Sequence, residues 1–317
     1  MNNFWKSLPK PFTVLAPMEN VTDHVFREIV ATCLPNPDVF FTEFTNTDAL
    51  TSAGYDKTIP RFSFSKKQKP IVAQIWGTRP ENFLASAKIA VKLGFDGIDI
   101  NMGCPDRAVV KSGACSALIN NPQLASEIIT ATRKGANNLP ISVKTRIGFN
   151  KIVTTEWVTF LLEQKIDALT IHARTAKEKS DVPARWDEIK IGVDIKNKIS
   201  PQTIIIGNGD VLSMNDVQKK YKETGVDGVM IGRGIFKNPW VFDKTEKNHT
   251  TDEYINILVK HINLYQKFYN GERHFDVMKK FFKMYINNFK NAADLRMKLM
   301  ETKTVDEAIF ILSRVVS

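Results

Sequence analysis

A chain of 317 residues, 43% hydrophobic and with a formal net charge of +10, can bury one large α/β core, or that core plus a small appendage. No apolar stretch reaches the ~18 residues that a membrane span needs, and the start lacks the basic-then-apolar layout of a secretion signal, so no membrane association is expected and the cytoplasm is the expected location. Cys33, Cys104 and Cys115 are odd in number and show no C-x-x-C spacing, which argues against a disulfide framework and a zinc site; no metal is expected.

From residue 12 to about residue 235, β-rich runs alternate with helical stretches. In chain order the runs are 12–15, 39–44, 71–75, 97–101, 141–145, 168–172, 203–206 and 228–231. Most are almost continuously apolar, as parallel strands covered on both faces should be. Between them Pro80 opens a helix, Asn121 and Pro122 form a cap followed by proline at the first helical position, and Ser213 with Asp216 reads as a capping box. Eight β/α units predict a TIM (β/α)8 barrel over residues 1–246, with a doubly wound sheet as the alternative because periodicity does not show closure.

A small helical domain is expected over 247–317, where strand signals stop. Thr250–Glu253 and Thr304–Glu307 both carry the S/T-x-x-E capping pattern. Between them the periodicity predicts a helix with Lys279, Lys280, Lys283 and Lys290 on one stripe and Val277, Phe281, Met284, Tyr285 and Phe289 on the other side. A basic face suits phosphate contacts, and equally suits a solvated helix surface.

In a TIM barrel the chemistry sits where strands run into the following loops. Here those positions hold Pro17 and Met18, Glu43, Gln74 with Gly77, Asn101 with Cys104, Lys144, His172 with Arg174, Asn208 with Gly209 and Asp210, and Gly232 with Arg233. GNGD at 207–210 and IGRG at 231–234 put glycines at the ends of the last two strands, where backbone amides can approach a phosphate and Arg233 can add charge. Lys144 can be aimed into the mouth by strand alternation, to form a Schiff base or to hold negative charge on a bound ring. Gln74 can read a heterocycle edge, and His172 can donate or accept a hydrogen bond.

APMENVTDHVFR (16–27), TEF (42–44), AQIWG (73–77), DGIDINMGCP (96–105), VKTRIG (143–148), LTIHART (169–175), GNGDV (207–211), DGVMIGRGIFKNPWVF (227–242) and AADLR (292–296) together resemble the tRNA-dihydrouridine synthases, over nearly the whole chain. The resemblance implies an FMN-binding TIM barrel followed by a helical tRNA-binding domain. It implies FMN contacts from Ala16, Pro17, Met18, Gln74, Lys144, His172, Asn208, Gly209, Asp210, Gly232 and Arg233, and NADPH, or NADH, as electron donor. Cys104 matches the family's catalytic cysteine, and the expected reaction is reduction of a D-loop uridine in tRNA to 5,6-dihydrouridine. Asn101 and Arg174 are expected near the substrate, with Lys279, Lys280, Lys283 and Lys290 on tRNA phosphates and the protein a monomer.

Reducing the C5–C6 bond of uracil takes a hydride and a proton, and a neutral thiol in an apolar strand-end setting suits the acid role. Two features depart from the commoner pattern of the family it resembles: Cys115 stands where many members have glycine, and Glu19 with Asn20 replaces a glycine-containing turn. Two alternative functions are a flavin barrel acting on a free pyrimidine, as dihydroorotate dehydrogenases do, and a non-catalytic RNA-binding flavoprotein.

Overall fold

The computed structural model describes residues 3–245, 247–287 and 289–315. The chain forms two compact units. One comprises Met1–His24, Pro37–Val211 and Asn215–Gly232; the other comprises Val25–Asn36, Leu212–Met214 and Arg233–Ser317.

The first unit is a parallel barrel built from β1 (Phe12–Leu15), β2 (Phe40–Phe41), β3 (Thr45–Asn46), β4 (Ile71–Trp76), β5 (Gly97–Met102), β6 (Ile141–Arg146), β7 (Ala168–His172), β8 (Ile204–Asn208) and β9 (Gly228–Ile231). The ladder runs β1-β9-β8-β7-β6-β5-β4-β2, with β3 also on β4. A parallel bridge between Val14 and Val39 returns it to β1, with the Leu15 N–H donating to the Val39 carbonyl at 3.1 Å. The sheet therefore closes, as expected for the TIM barrel and not for a doubly wound sheet.

Of the run 39–44 only Phe40–Phe41 is a strand, β2, and a second short strand, β3, follows the run at Thr45–Asn46. At the break the N–H of Gln74 donates to the Thr42 hydroxyl at 3.0 Å, so a side chain stands in for a ladder carbonyl. Strands β4, β5 and β6 each extend one residue past the expected end, and β8 continues through Gly207 to Asn208.

Apolar side chains close the end of the barrel opposite the strand carboxyl termini. Trp5, on the single turn Phe4–Ser7, packs on Phe12 and Phe41 at centroid distances of 5.8 and 6.3 Å, with Ala168 and Ile204 from the first positions of β7 and β8 in the same cluster. Full burial of each such ring contributes about 2–3 kcal/mol. Glycine is required at 228, since a Cβ there would lie 2.3 Å from the Phe12 ring. With this end packed, room for polar groups remains at the other.

Pro80 and Asn121 start helices as expected, Pro80–Leu93 and Pro122–Gly135, the second capped by the Asn121 side chain on the Leu124 N–H. The helix Met214–Thr224 follows Ser213.

The second unit is helical: Thr251–Tyr269, Lys279–Tyr285, Ala292–Glu301 and Val305–Leu312, joined by His24–Cys33 from earlier in the chain. Phe26 stacks on Phe236 and Phe281, at 6.4 and 5.2 Å. Thr250 and Glu253 form the reciprocal capping box. At the other expected box only half forms: Thr304 accepts from the Glu307 N–H, but the Glu307 carboxylate reaches one residue further back, to the Lys303 N–H at 2.7 Å. Among the described residues no helix is long and apolar enough to cross a membrane.

Candidate active site

Strand β5 reads Gly-Ile-Asp-Ile-Asn-Met, so alternation puts Asp99 and Asn101 on one face, before the turn Gly103-Cys104-Pro105. That turn is held at each polar backbone group of Gly103 and Cys104. The Asn101 Oδ1 accepts from the N–H groups of Gly103 and Cys104, both at 3.0 Å. The Nε of Arg146, on β6, donates to the Gly103 carbonyl at 2.8 Å, while its Nη1 donates to the carbonyls of Thr175 and Lys179 at 2.9 and 2.7 Å. The Ser116 N–H donates to the Cys104 carbonyl at 3.3 Å. Asp106 caps the following turn of helix through the N–H groups of Ala108 and Val109.

Cys104 is half-buried. Burial pushes its thiol above the ordinary range, only partly countered by a hydrogen bond from the Asp106 backbone, so the thiol is protonated at neutral pH. Cys115 is fully buried at φ 53°, a left-handed conformation that glycine adopts without strain. Burial, then the neighbouring Cys104, pushes its thiol well above the usual range. The other departure has the same backbone signature: Asn20 has φ 57°, and its N–H donates to the Glu43 carboxylate at 2.6 Å, while Glu19 pairs with Arg61.

Beside the turn lies a buried polar layer. Gln74, Asp99 and Ser142 are in register on β4, β5 and β6. Asp99 accepts from Gln74 Nε2 at 2.7 Å and from the Ser142 hydroxyl at 2.6 Å, and Gln74 Oε1 accepts from Asn101 Nδ2 at 3.1 Å. Burial raises the Asp99 carboxyl to about 6, against the opposing hydrogen bonds of Ser142 and Gln74 and the charge of Lys144. Lys144 is in register with Asn101 and donates to Asn208 Oδ1 at 3.1 Å, its one hydrogen-bond partner among the described residues. Burial, then the charge of Arg146, lowers its ammonium to about 8. The buried hydroxyl of Thr170, in register with Lys144, has no partner among the described residues.

At the ends of β7 and β8, His172 and Asn208 are in register. Asn208 donates to the Met230 carbonyl at 2.8 Å, which fixes the oxygen that receives Lys144. Arg174 is buried, and it donates to the Val182 carbonyl, to Asp210 at 2.5 Å and to His172 Nε2 at 3.2 Å. A guanidinium only donates, so His172 Nε2 accepts and the ring is neutral with its proton on Nδ1. Asp210, at φ 50°, also accepts from the Ala184 N–H at 2.8 Å. Gly209 has φ 140°, and a Cβ there would lie 2.7 Å from Ala184. Across the ring, Ala16 bonds to the Ile231 carbonyl at 2.9 Å and Met18 to the Thr22 hydroxyl at 2.9 Å; the open face of Gly232 looks toward the Ala16 methyl and the Met18 sulfur. Pro17 links them, half-buried. Arg233 is exposed at the start of the short helix Gly234–Lys237 in the other unit.

Asp99, Ser142 and Arg146 are not marked by position at the expected strand ends alone. Parity was the available signal, because Asp99 shares a face with Asn101, and Arg146 with Lys144.

In the helical unit the lysine stripe is shorter than expected. The helix Lys279–Tyr285 stops at Ile286 (φ −98°, ψ 81°), so Lys290 lies beyond it, exposed in a turn. Lys279 is tied to Asp276 at 2.6 Å with its side chain 10% exposed. Lys280 and Lys283 are exposed. Lys283, Phe282, Arg296, Met297 and Met300 line a groove of about 570 Å³.

A closed parallel barrel with a half-buried thiol, a half-buried lysine and ordered amides at its strand ends is the frame of a TIM-barrel enzyme. A family model described as dihydrouridine synthase (Dus) matches residues 14–316, and the chain belongs to that family. It is 44% identical over 313 residues to the probable tRNA-dihydrouridine synthase of Staphylococcus aureus (strain COL), covering 98% of this chain and 94% of that protein. Against the probable tRNA-dihydrouridine synthase 2 of Bacillus subtilis (strain 168) identity is 43% over 313 residues, with 98% and 95% covered. Among solved structures, histamine dehydrogenase from Rhizobium sp. 4-9 superposes with a TM-score of 0.55 at 14% identity, over 80% of this chain and 48% of that one. A variant of NCR from Zymomonas mobilis gives 0.50 at 15% identity, over 75% and 89%. These two likenesses concern the fold alone.

Proposed function

We propose that this enzyme reduces a D-loop uridine of tRNA to 5,6-dihydrouridine, with FMN at the barrel mouth, NADPH or NADH as electron donor and Cys104 as general acid. The observation that carries this reading is the protonated, half-buried Cys104 on a turn fixed by Asn101 and Arg146, in a chain of the dihydrouridine synthase family.

The residues present fit FMN. Among the described residues Lys144 is a half-buried ammonium with one hydrogen-bond partner, and Thr170 is a buried hydroxyl with none; such groups suit a ligand rich in acceptors. Gln74, Lys144 and His172 would hold the ring, and Ala16, Pro17 and Met18 would line it. Asn208 would hold it through Lys144. Gly209, Gly232 and Arg233 would receive the phosphate, with Asp210 ordering Arg174 beside them. FMN held by these residues and reduced by NADPH or NADH would supply a hydride for C6 of uracil.

Cys104 gives its proton to C5, and the thiolate regains one from solvent. Its raised pKa favours this role, since the proton stays on sulfur until carbon takes it. Arg174, held by Asp210, Val182 and His172, would order the wall beside the substrate.

The target base must leave its stack to reach the mouth. The helical residues 247–317 are assigned to tRNA grip, with Lys280 and Lys283 as phosphate anchors, Lys290 as a separate exposed contact, and Lys279 weakened by its tie to Asp276. The enzyme is taken to act as a cytoplasmic monomer. Anaerobic turnover with NADPH, comparing unmodified tRNA transcript with free uridine and reading dihydrouridine by mass spectrometry, tests the reading. Product from tRNA alone is expected; equal reduction of free uridine, or no product from tRNA, overturns it.

A further inference from the structure

Asp99 is a completely buried carboxylate with no part in the proton or hydride transfer proposed above. It stands at one end of a chain of hydrogen bonds: Asp99 accepts from Gln74, Gln74 accepts from Asn101, and Asn101 accepts from the backbone N–H groups of Gly103 and Cys104. Each of the two amides has one donating and one accepting end. The ends of the chain have no such choice, since a backbone N–H only donates and an ionised carboxylate only accepts. Both ends therefore require the same orientation of both amides. Turning either one would set oxygen against oxygen at one junction and N–H against N–H at the next, in a buried site where each mismatch is costly.

We propose that Asp99 is a positioning residue, whose carboxylate sets the polarity of the Gln74–Asn101 chain and so holds the Cys104 turn in its reactive geometry. The proposal rests on the reading of Cys104 as the acid. Lys144, in register with Asn101, adds positive charge that keeps Asp99 an acceptor, and the Ser142 hydroxyl fills its other oxygen.

Reversing the polarity tests it. Asn101→Asp keeps an oxygen for the turn but presents a second oxygen to Gln74, which must turn and aim its own oxygen at Asp99. Adding Asp99→Asn supplies an N–H at that junction and restores a consistent chain running the other way. Two quantities are read in the wild type, both single variants and the double: single-turnover reduction of tRNA uridine, and the alkylation rate of Cys104 by iodoacetamide, resolved by peptide mass spectrometry. Asn101→Asp is expected to slow reduction at least about tenfold and to change Cys104 alkylation, and the added Asp99→Asn to recover about tenfold, a coupling within the range of one hydrogen-bond network.

A double variant no better than Asn101→Asp in either readout overturns the proposal. Should Asn101→Asp fail to fold, Gln74→Met cuts the chain instead: Asp99→Leu should then alter Cys104 alkylation in the wild type but not in the Gln74→Met background, and an equal effect in both overturns it. Alkylation that follows the reversal while Cys104→Ala still forms dihydrouridine would reject the acid role and leave the positioning role standing.

Discussion

The Nε of Arg146 donates to the carbonyl of Gly103 at 2.8 Å, so a buried guanidinium on β6 grips the turn that carries Cys104 from β5. The same side chain reaches the carbonyls of Thr175 and Lys179, and thereby ties the loops after β5 and β7 together. A lysine keeps the charge but cannot make this fork of contacts.

Arg146→Lys should therefore fold and bind FMN yet lose on the order of 100-fold in uridine reduction, the scale expected when a reacting group is displaced by about 1 Å. Single-turnover rates with the enzyme already reduced check this. A rate within about twofold of wild type would mean that the grip has no bearing on the chemistry.

Lys144 gives a pH dependence with a definite sign. Its ammonium is lowered to about 8, so the charge that would hold the cofactor is present at neutral pH and lost as the pH rises through that value. FMN affinity, measured by fluorescence quenching from pH 6.5 to 9.5, should fall with an inflection near 8 in the wild type. Lys144→Met should bind FMN more weakly at neutral pH and show no such inflection.

The predicted tRNA contacts lead to a salt test. Lys280→Glu with Lys283→Glu removes the two exposed cations of the helix Lys279–Tyr285. Affinity for tRNA should drop, and the slope of log affinity against log salt should become shallower by roughly 1–2 units. Lys279→Ala should do much less, because Asp276 already compensates that charge.

Parallel strands buried on both faces are near-continuous apolar runs, which is why the eight β/α units and most strand positions were legible in the residues. Closure was not, because the Val14–Val39 bridge leaves no mark on periodicity. Nor was the break between β2 and β3, where the Thr42 hydroxyl substitutes for a backbone acceptor. Polar residues at strand ends stood out by position, and the structure brings Asn101 to Gln74, Lys144 to Asn208 and His172 to Arg174. Asp99 escaped notice one turn of the pleat lower, although the pattern Ile-Asp-Ile-Asn puts it on the face of Asn101. Lys290 lies beyond the end of the lysine stripe, since helical periodicity shows which residues share a face, not where the helix stops.

The central claim concerns one proton, and Cys104→Ala tests it most directly. The variant should bind FMN and accept electrons from NADPH at close to the wild-type rate, while dihydrouridine formation on tRNA falls by roughly 100-fold or more, the usual contribution of a positioned acid. Dihydrouridine formed at the wild-type rate by the reduced variant would contradict the account.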